Sequence, residues 1–95
     1  MTEAGTTPKI SPDVVWRLLD DNAVVVSPRE GEVRVLNPVG TAIWQLLEQE
    51  ESAPAIVRYL TANFDVSQER AHDDLITFLE ELTQRGILIQ EEAIS

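Results

Sequence analysis

The chain has 95 residues, 43% of them hydrophobic, and a formal net charge of −10. One domain with a single core fits this length, which leaves no room for a second lobe or a large enclosed active site. With 17 acidic residues against 7 basic ones, the surface would repel a nucleic acid, and the absence of cysteine excludes disulfides and thiolate metal sites.

The two ends of the chain are predicted to lie outside the folded domain. Residues 1–12 contain Thr, Gly and Pro and lack the basic and apolar regions of a secretory signal. We predict a flexible segment over residues 1–12, a domain over residues 13–90 and a frayed C-terminus over residues 91–95. The apolar residues are dispersed rather than gathered into a membrane span, so we expect no membrane partner. The absence of cysteine fits a cytoplasmic protein.

Three strands are predicted in the first third of the domain. Residues 14–19 and 23–26 are rich in β-branched and apolar residues, with a polar turn between them. A second turn contains Pro28 and Gly31, and residues 32–36 then alternate with the period of a half-buried strand. The pattern predicts a small antiparallel meander.

Three amphipathic helices follow the strands. Each begins after a side chain that can cap its first turn: Asn37, Ser52 and Ser67. Pro38 and Pro54 suit first turns, where no amide donor is needed. The first helix ends near Glu48, and the third is the longest, covering residues 68–85 before Gly86 ends it.

This order of elements predicts an α+β fold that is winged-helix-like, with a three-stranded antiparallel sheet followed by three α-helices. Residues 87–89 either add a short final strand or cover the base of the core. Trp44 lies on an apolar helix face and Trp16 lies in a strand, so both are assigned to the core.

No residue pattern points to catalysis. His72 is the only histidine, and without a cysteine or a second histidine it forms neither a zinc site nor a nucleophilic dyad. Asp73 and Asp74 would project about 100° apart on a helix, so they do not face each other as acid and base. The scattered glycines form no phosphate-binding loop. We therefore expect no enzyme activity, no metal and no cofactor.

The backbone offers a different kind of site. A sheet of three strands leaves at least one outer strand with unpaired amides and carbonyls, on which an extended peptide can dock. The alternative is that the charges of Glu32 and Arg34 protect this edge from pairing.

A set of apolar, glycine and capping residues follows a fixed order along most of the chain: Leu36, Asn37, Gly40, Ile43, Trp44, Leu46, Leu47, Ile56, Val57, Leu60, Phe64, Asp65, Val66, Ala71, Asp74, Leu75, Phe78, Leu79, Leu82, Arg85, Gly86, Ile87 and Leu88. This order and spacing resemble the PqqD-like family, the peptide-binding domains also called RiPP recognition elements. Such domains serve the biosynthesis of ribosomally made, modified peptides (RiPPs).

The resemblance implies a function in peptide binding. In the family, the leader segment of a precursor peptide adds as an antiparallel strand to the third strand, and its apolar side chains enter a cleft beside the third helix. The peptide-binding residues implied here are Glu32, Val33, Arg34, Val35 and Leu36 on the strand and His72, Leu75, Ile76 and Leu79 on the helix. The chain would be an accessory protein that delivers the leader to a separate enzyme, either a leader peptidase, as in lasso-peptide pathways, or a radical-SAM enzyme, as in PQQ biosynthesis.

One departure from the family concerns the leader itself. The third strand carries Val33, Arg34 and Val35 where many relatives have an aromatic residue, which alters the shape of the pocket. The acidic surface and an aliphatic cleft predict a leader with an aromatic or branched apolar anchor and some basic character.

Two other functions stay open. A DNA-binding winged helix needs basic residues on its third helix, where this chain has Arg70 and Arg85 against five carboxylates. An interaction module could instead form a homodimer by pairing the free strand edge with its own copy.

Overall fold

The computed structural model describes residues 8–28 and 31–89. Its elements in chain order are β1 (Lys9–Ile10), β2 (Val15–Leu19), β3 (Asn22–Ser27), β4 (Glu32–Val35), α1 (Pro38–Glu48), α2 (Ala53–Asn63), α3 (Gln68–Gln84) and β5 (Leu88–Ile89). The predicted α+β arrangement is confirmed, because a three-stranded antiparallel sheet precedes three helices.

The sheet has the strand order β2-β3-β4, with both pairings antiparallel. Between β2 and β3, Asp20 and Asp21 have φ angles of 53° and 69°. Positive φ at both central residues is the requirement of the two-residue hairpin turn whose twist matches that of the strands, and aspartate tolerates it better than most residues. The observed turn is therefore one residue shorter than the predicted one, because Asn22 already belongs to β3.

The helices begin where the sequence predicts. Each cap accepts a hydrogen bond from the amide three residues later: Asn37 from Gly40 at 2.7 Å, Ser52 from Ala55 at 3.3 Å and Ser67 from Arg70 at 3.1 Å. After α3, Gly86 has a φ of 76°, a left-handed conformation that glycine adopts without steric cost.

The core lies between the helices and one face of the sheet. Its largest fully buried side chains are Trp44, Ile43, Ile56, Leu60, Leu75, Leu82, Ile87, Leu88 and Val25. The partly buried ring of Trp16 packs edge-to-face against Trp44, with ring centroids 6.1 Å apart and an interplanar angle of 76°. Both tryptophans therefore have the packing role expected of them.

The N-terminal boundary of the domain lies earlier than predicted. Lys9–Ile10 pair with Leu88–Ile89, and the Ser11 amide donates to the carbonyl of Ile87 at 2.9 Å. The prediction of a flexible segment is thus wrong for residues 9–11, because a two-residue strand is too short to show a period and its partner lies at the far end of the chain. Residues 1–7 and the predicted frayed end at 91–95 lie outside the described residues.

A cluster of hydrogen bonds, here called the strand–helix junction, joins β3 to the end of β4 and to α1. The Ala23 amide donates to Thr41 Oγ1 at 2.9 Å, and that hydroxyl donates to the carbonyl of Leu36 at 3.3 Å. The Leu36 amide donates to the Ala23 carbonyl at 2.8 Å, and Asn22 Nδ2 donates to the Leu36 carbonyl at 2.7 Å. Thr41 is buried, so its hydroxyl replaces the strand partner that Ala23 would otherwise lack.

Replacing Thr41 with valine is expected to lower the free energy of unfolding by about 1–3 kcal/mol, because it leaves the buried Ala23 amide without an acceptor. The measurement is urea denaturation followed by circular dichroism. Thr41→Ser, which keeps the hydroxyl, is the matched control and is expected to lose less. No loss in Thr41→Val, or a smaller loss than in Thr41→Ser, would mean that the hydrogen bonds of the hydroxyl do not stabilise the junction.

Candidate functional site

The outer edge of β4 is the candidate site. In the described part of the chain, β4 pairs with β3 on one side and with no strand on the other. The Leu36 amide points toward β3, since it donates to Ala23. Amide directions alternate along a strand, so those of Arg34 and Glu32 also point toward β3. The N–H and C=O groups of Val33 and Val35 therefore point outward, where a further strand can pair with them.

The inner side of β4 runs beside α3. Arg34 Nη2 lies 3.2 Å from Glu81 Oε2, and Arg85 Nη1 donates to Glu32 Oε2 at 2.6 Å. These two ion pairs connect the edge strand to the helix. They also show that β4 and α3 are antiparallel, because the residue numbers rise along the strand as they fall along the helix.

The contacts continue past the end of β4. A Cβ atom placed on Gly40 would lie 3.4 Å from Phe78 Cε1 and 3.5 Å from Leu36 Cβ. The Phe78 ring therefore lies near Leu36 and the first turn of α1. We use the name β4–α3 cleft for the seam between β4 and α3. Its strand side is formed by Glu32, Arg34 and Leu36 and its helix side by Phe78, Glu81 and Arg85. It has a charged end and an apolar end.

The opposite face of the sheet is mostly apolar and carries several exposed side chains. Val33 and Val35 are 64% and 69% exposed, because their side chains alternate with those that face α3. By the strand register, the residues on this face are Val15, Arg17, Leu19, Asn22, Val24, Val26, Val33 and Val35. We call it the outer face. A strand added to β4 would place every second side chain beside it.

The structure places the predicted strand residues at the free edge but separates them by face. Glu32 and Arg34 face α3, and Val33 and Val35 lie on the outer face. Leu36 is buried in the core. On the strand side, the residues that face the helix are thus Glu32 and Arg34, while the valines of β4 turn away from it.

The four predicted helical residues lie away from the flank of α3 that carries Glu81. Leu75 is fully buried and Leu79 packs against the core, while His72 lines a groove between α2 and α3. Ile76 lies one turn after His72, about 140° around the helix from Glu81. The part of these residues in peptide binding stays a prediction.

Three cleft residues were missed in the sequence: Phe78, Glu81 and Arg85. A charge pattern could have found two of them. Glu32 and Arg34 are two apart on a strand, and Glu81 and Arg85 are four apart on a helix, so each pair lies on one face. When such elements run antiparallel, the unlike charges come together. That pattern predicts the observed neighbours.

Metal binding and membrane insertion have little support in the part of the chain that the structure describes. No three side chains among its His, Asp and Glu residues come together in a way that could hold a metal ion. None of its helices is long and apolar enough to cross a membrane.

The chain resembles known proteins both in sequence and in fold. The family model described as "Coenzyme PQQ synthesis protein D (PqqD)" matches residues 22–88, most of the chain. The structure described as "TbiB1 in Complex with the TbiA(beta) Leader Peptide" is similar, with 32% sequence identity and a TM-score of 0.80, covering 92% of this chain and 98% of that chain.

A second structure supports the fold alone. "Lasso peptide synthetase B1 complexed with the leader peptide" is 23% identical, with a TM-score of 0.79, covering 85% of this chain and 95% of that chain. No curated protein matches the chain.

A double-mutant cycle on Arg34→Ala and Glu81→Ala is expected to give a coupling of about 0.2–1 kcal/mol, as is usual for ion pairs near the surface. The measurement is the free energy of unfolding of the two single variants and the double variant in urea. The pair Arg70–Asp74, 3.4 Å apart within α3, provides a reference cycle. A coupling of zero for Arg34 and Glu81 would contradict the expected stabilisation by this pair.

Proposed function

The chain belongs to the PqqD family, and on that basis we propose that it binds the leader segment of a ribosomally synthesised precursor peptide. The observation that carries the proposal is the outer edge of β4, which pairs with no other strand of the described residues and belongs to a strand whose Arg34 contacts α3. The similarity to TbiB1, described in complex with a leader peptide, supports this assignment.

In the proposed complex the leader adds as an antiparallel strand to β4. Main-chain hydrogen bonds to Val33 and Val35 supply binding that does not depend on the leader's sequence. Side chains of the added strand alternate between the β4–α3 cleft and the outer face, which provides two surfaces for recognition. Binding uses backbone groups that water otherwise solvates, so the domain does not have to unfold any element.

We further propose that the domain delivers the leader to a separate enzyme and does not itself catalyse a reaction. Holding the leader raises the effective concentration of the precursor near an associated leader peptidase or radical-SAM enzyme. A cytoplasmic location follows from this role, because precursor peptides are made there by ribosomes.

A homodimer is the second candidate. Val15, Leu19, Val33 and Val35 are each more than half exposed, which is unusual for four large aliphatic residues on one face of a small sheet. Either a free edge or this outer face can pair with a second copy. Sedimentation of the protein without peptide distinguishes this candidate, since a dimer would form without any leader.

Binding to DNA has less support. Arg70 is paired with Asp74, and Arg85 is paired with Glu32, so both arginines of the third helix already contact carboxylates. Asp73 and Glu80 are exposed on the same helix and would repel phosphates.

The test is titration of the isotope-labelled protein with leader peptides, namely the TbiA(beta) leader and the leaders of precursors encoded beside this chain. Saturable amide shifts concentrated at residues 32–36 and along the flank of α3 that carries Glu81 are expected. Shifts elsewhere, or none with any leader, would contradict the proposal.

The variant Val35→Pro is expected to weaken leader binding at least about tenfold, because it removes one outward amide and leaves a leader carbonyl unpaired. The sheet should persist, since that amide does not bond to β3. Val35→Thr, which keeps the amide, is the matched control, and Ile76→Glu tests the opposite flank of α3. Both controls should bind nearly as the unaltered protein does, and a large loss in Ile76→Glu would mean that the leader uses the other side of the helix.

A further inference from the structure

At the charged end of the β4–α3 cleft, a cation and an anion follow each other along β4, so a bound strand would meet them in a fixed order. Arg34 and Glu32 lie two residues apart on β4, with their side chains on the cleft side. Each uses one polar group to contact α3. Arg34 Nε and Glu32 Oε1 are buried and have no hydrogen-bond partner among the described residues. The rest of each side chain is only partly buried, so its other polar atoms can meet a side chain of an added strand.

The residues of β4, rather than their partners on α3, determine which charge is favoured. A side chain directly opposite on a neighbouring strand has its Cβ atom about 5 Å away, closer than a side chain across the cleft. The side chains of Arg34 and Glu32 are 24% and 34% exposed, against 49% and 45% for Glu81 and Arg85. Solvent therefore screens the charges on the helix more strongly.

The apolar end gives the cleft a direction. Leu36 and Phe78 lie beyond the charged pairs, next to the first turn of α1. An antiparallel strand on β4 meets this apolar end first, then passes Arg34 and then Glu32. Its inward side chains are at alternate positions, so three of them meet three different environments in a fixed order.

We propose, resting on the leader binding proposed above, that the β4–α3 cleft selects its peptide by the order of three inward side chains. From the N-terminal end of the bound strand these are an apolar residue beside Leu36 and Phe78, a carboxylate or amide opposite Arg34, and a cation opposite Glu32. The recognised peptide is thus one with the alternating pattern apolar, acceptor, cation. Its outward side chains contact Val33 and Val35 and are not required to carry charge.

Two peptides of identical composition test this order. Both are capped seven-residue peptides with threonine at the four outward positions. One has inward Phe, Glu and Lys in that order, and the other has Phe, Lys and Glu. In the first peptide, Glu lies opposite Arg34 and Lys lies opposite Glu32. In the second peptide, both pairs carry like charges, so its dissociation constant should be about tenfold higher. Amide-shift titration of the protein measures both constants.

A charge-exchange variant gives an independent readout. Glu32→Arg, Arg34→Glu, Glu81→Arg and Arg85→Glu together preserve both ion pairs and the net charge, but they reverse the order presented to the peptide. The preference between the two peptides should reverse. The exchange Lys9→Glu with Glu50→Lys reverses an ion pair between β1 and the end of α1, away from β4 and α3. It is the control and should leave the preference as it was.

The outcomes separate this inference from the function on which it rests. If a leader binds at residues 32–36 but the two peptides bind the unaltered protein equally, or neither binds, the proposed charge order is wrong and leader binding stands. If no leader binds in the earlier titration, the proposed function itself fails. The peptide comparison on the unaltered protein decides the matter even if the fourfold variant does not fold.

Discussion

The strand–helix junction at Thr41 is the constraint on which the rest of the site depends. The bond from the Leu36 amide to Ala23 sets which amides of β4 pair with β3 and which point outward. It also sets the faces, because the burial of Leu36 in the core turns Arg34 and Glu32 toward α3. A slip of one residue would reverse both, since side chains and amides alternate with the same period of two. The hydroxyl of Thr41 holds this register where the ladder ends.

The edge of β4 combines two properties that usually conflict. A strand edge with free amides is prone to unspecific pairing, and charged side chains that face inward are one way in which proteins limit it. Glu32 and Arg34 are such residues here. Their side chains, however, contact Arg85 and Glu81 next to α3. The edge is therefore available to a strand that tolerates charge on its inner side and less suited to an all-apolar one. A protein of net charge −10 gains further selectivity against acidic partners.

In helix α3, hydrophobic periodicity predicts the buried stripe but not the flank that contacts β4. The spacing of Ala71, Leu75 and Leu82 identifies the buried stripe, and these residues are indeed buried. The same spacing leaves two flanks beside the stripe that are equivalent as patterns. The sequence prediction chose the flank of His72 and Ile76, whereas β4 contacts the flank of Glu81 and Arg85. Which flank meets the strand depends on how α2 packs against α3, and no local pattern contains that information.

The elements that depend on nearby residues could be predicted from the amino-acid sequence: the β2–β3–β4 meander, the caps at Asn37, Ser52 and Ser67, and the end of α3 before Gly86. Capping and alternation act over two to four residues, so they are visible as local patterns. The pairing of β1 with β5, the flank of α3 beside β4 and the polarity of the cleft became known from the folded arrangement alone. Each of these joins residues far apart in the chain, and their positions follow from packing the whole core.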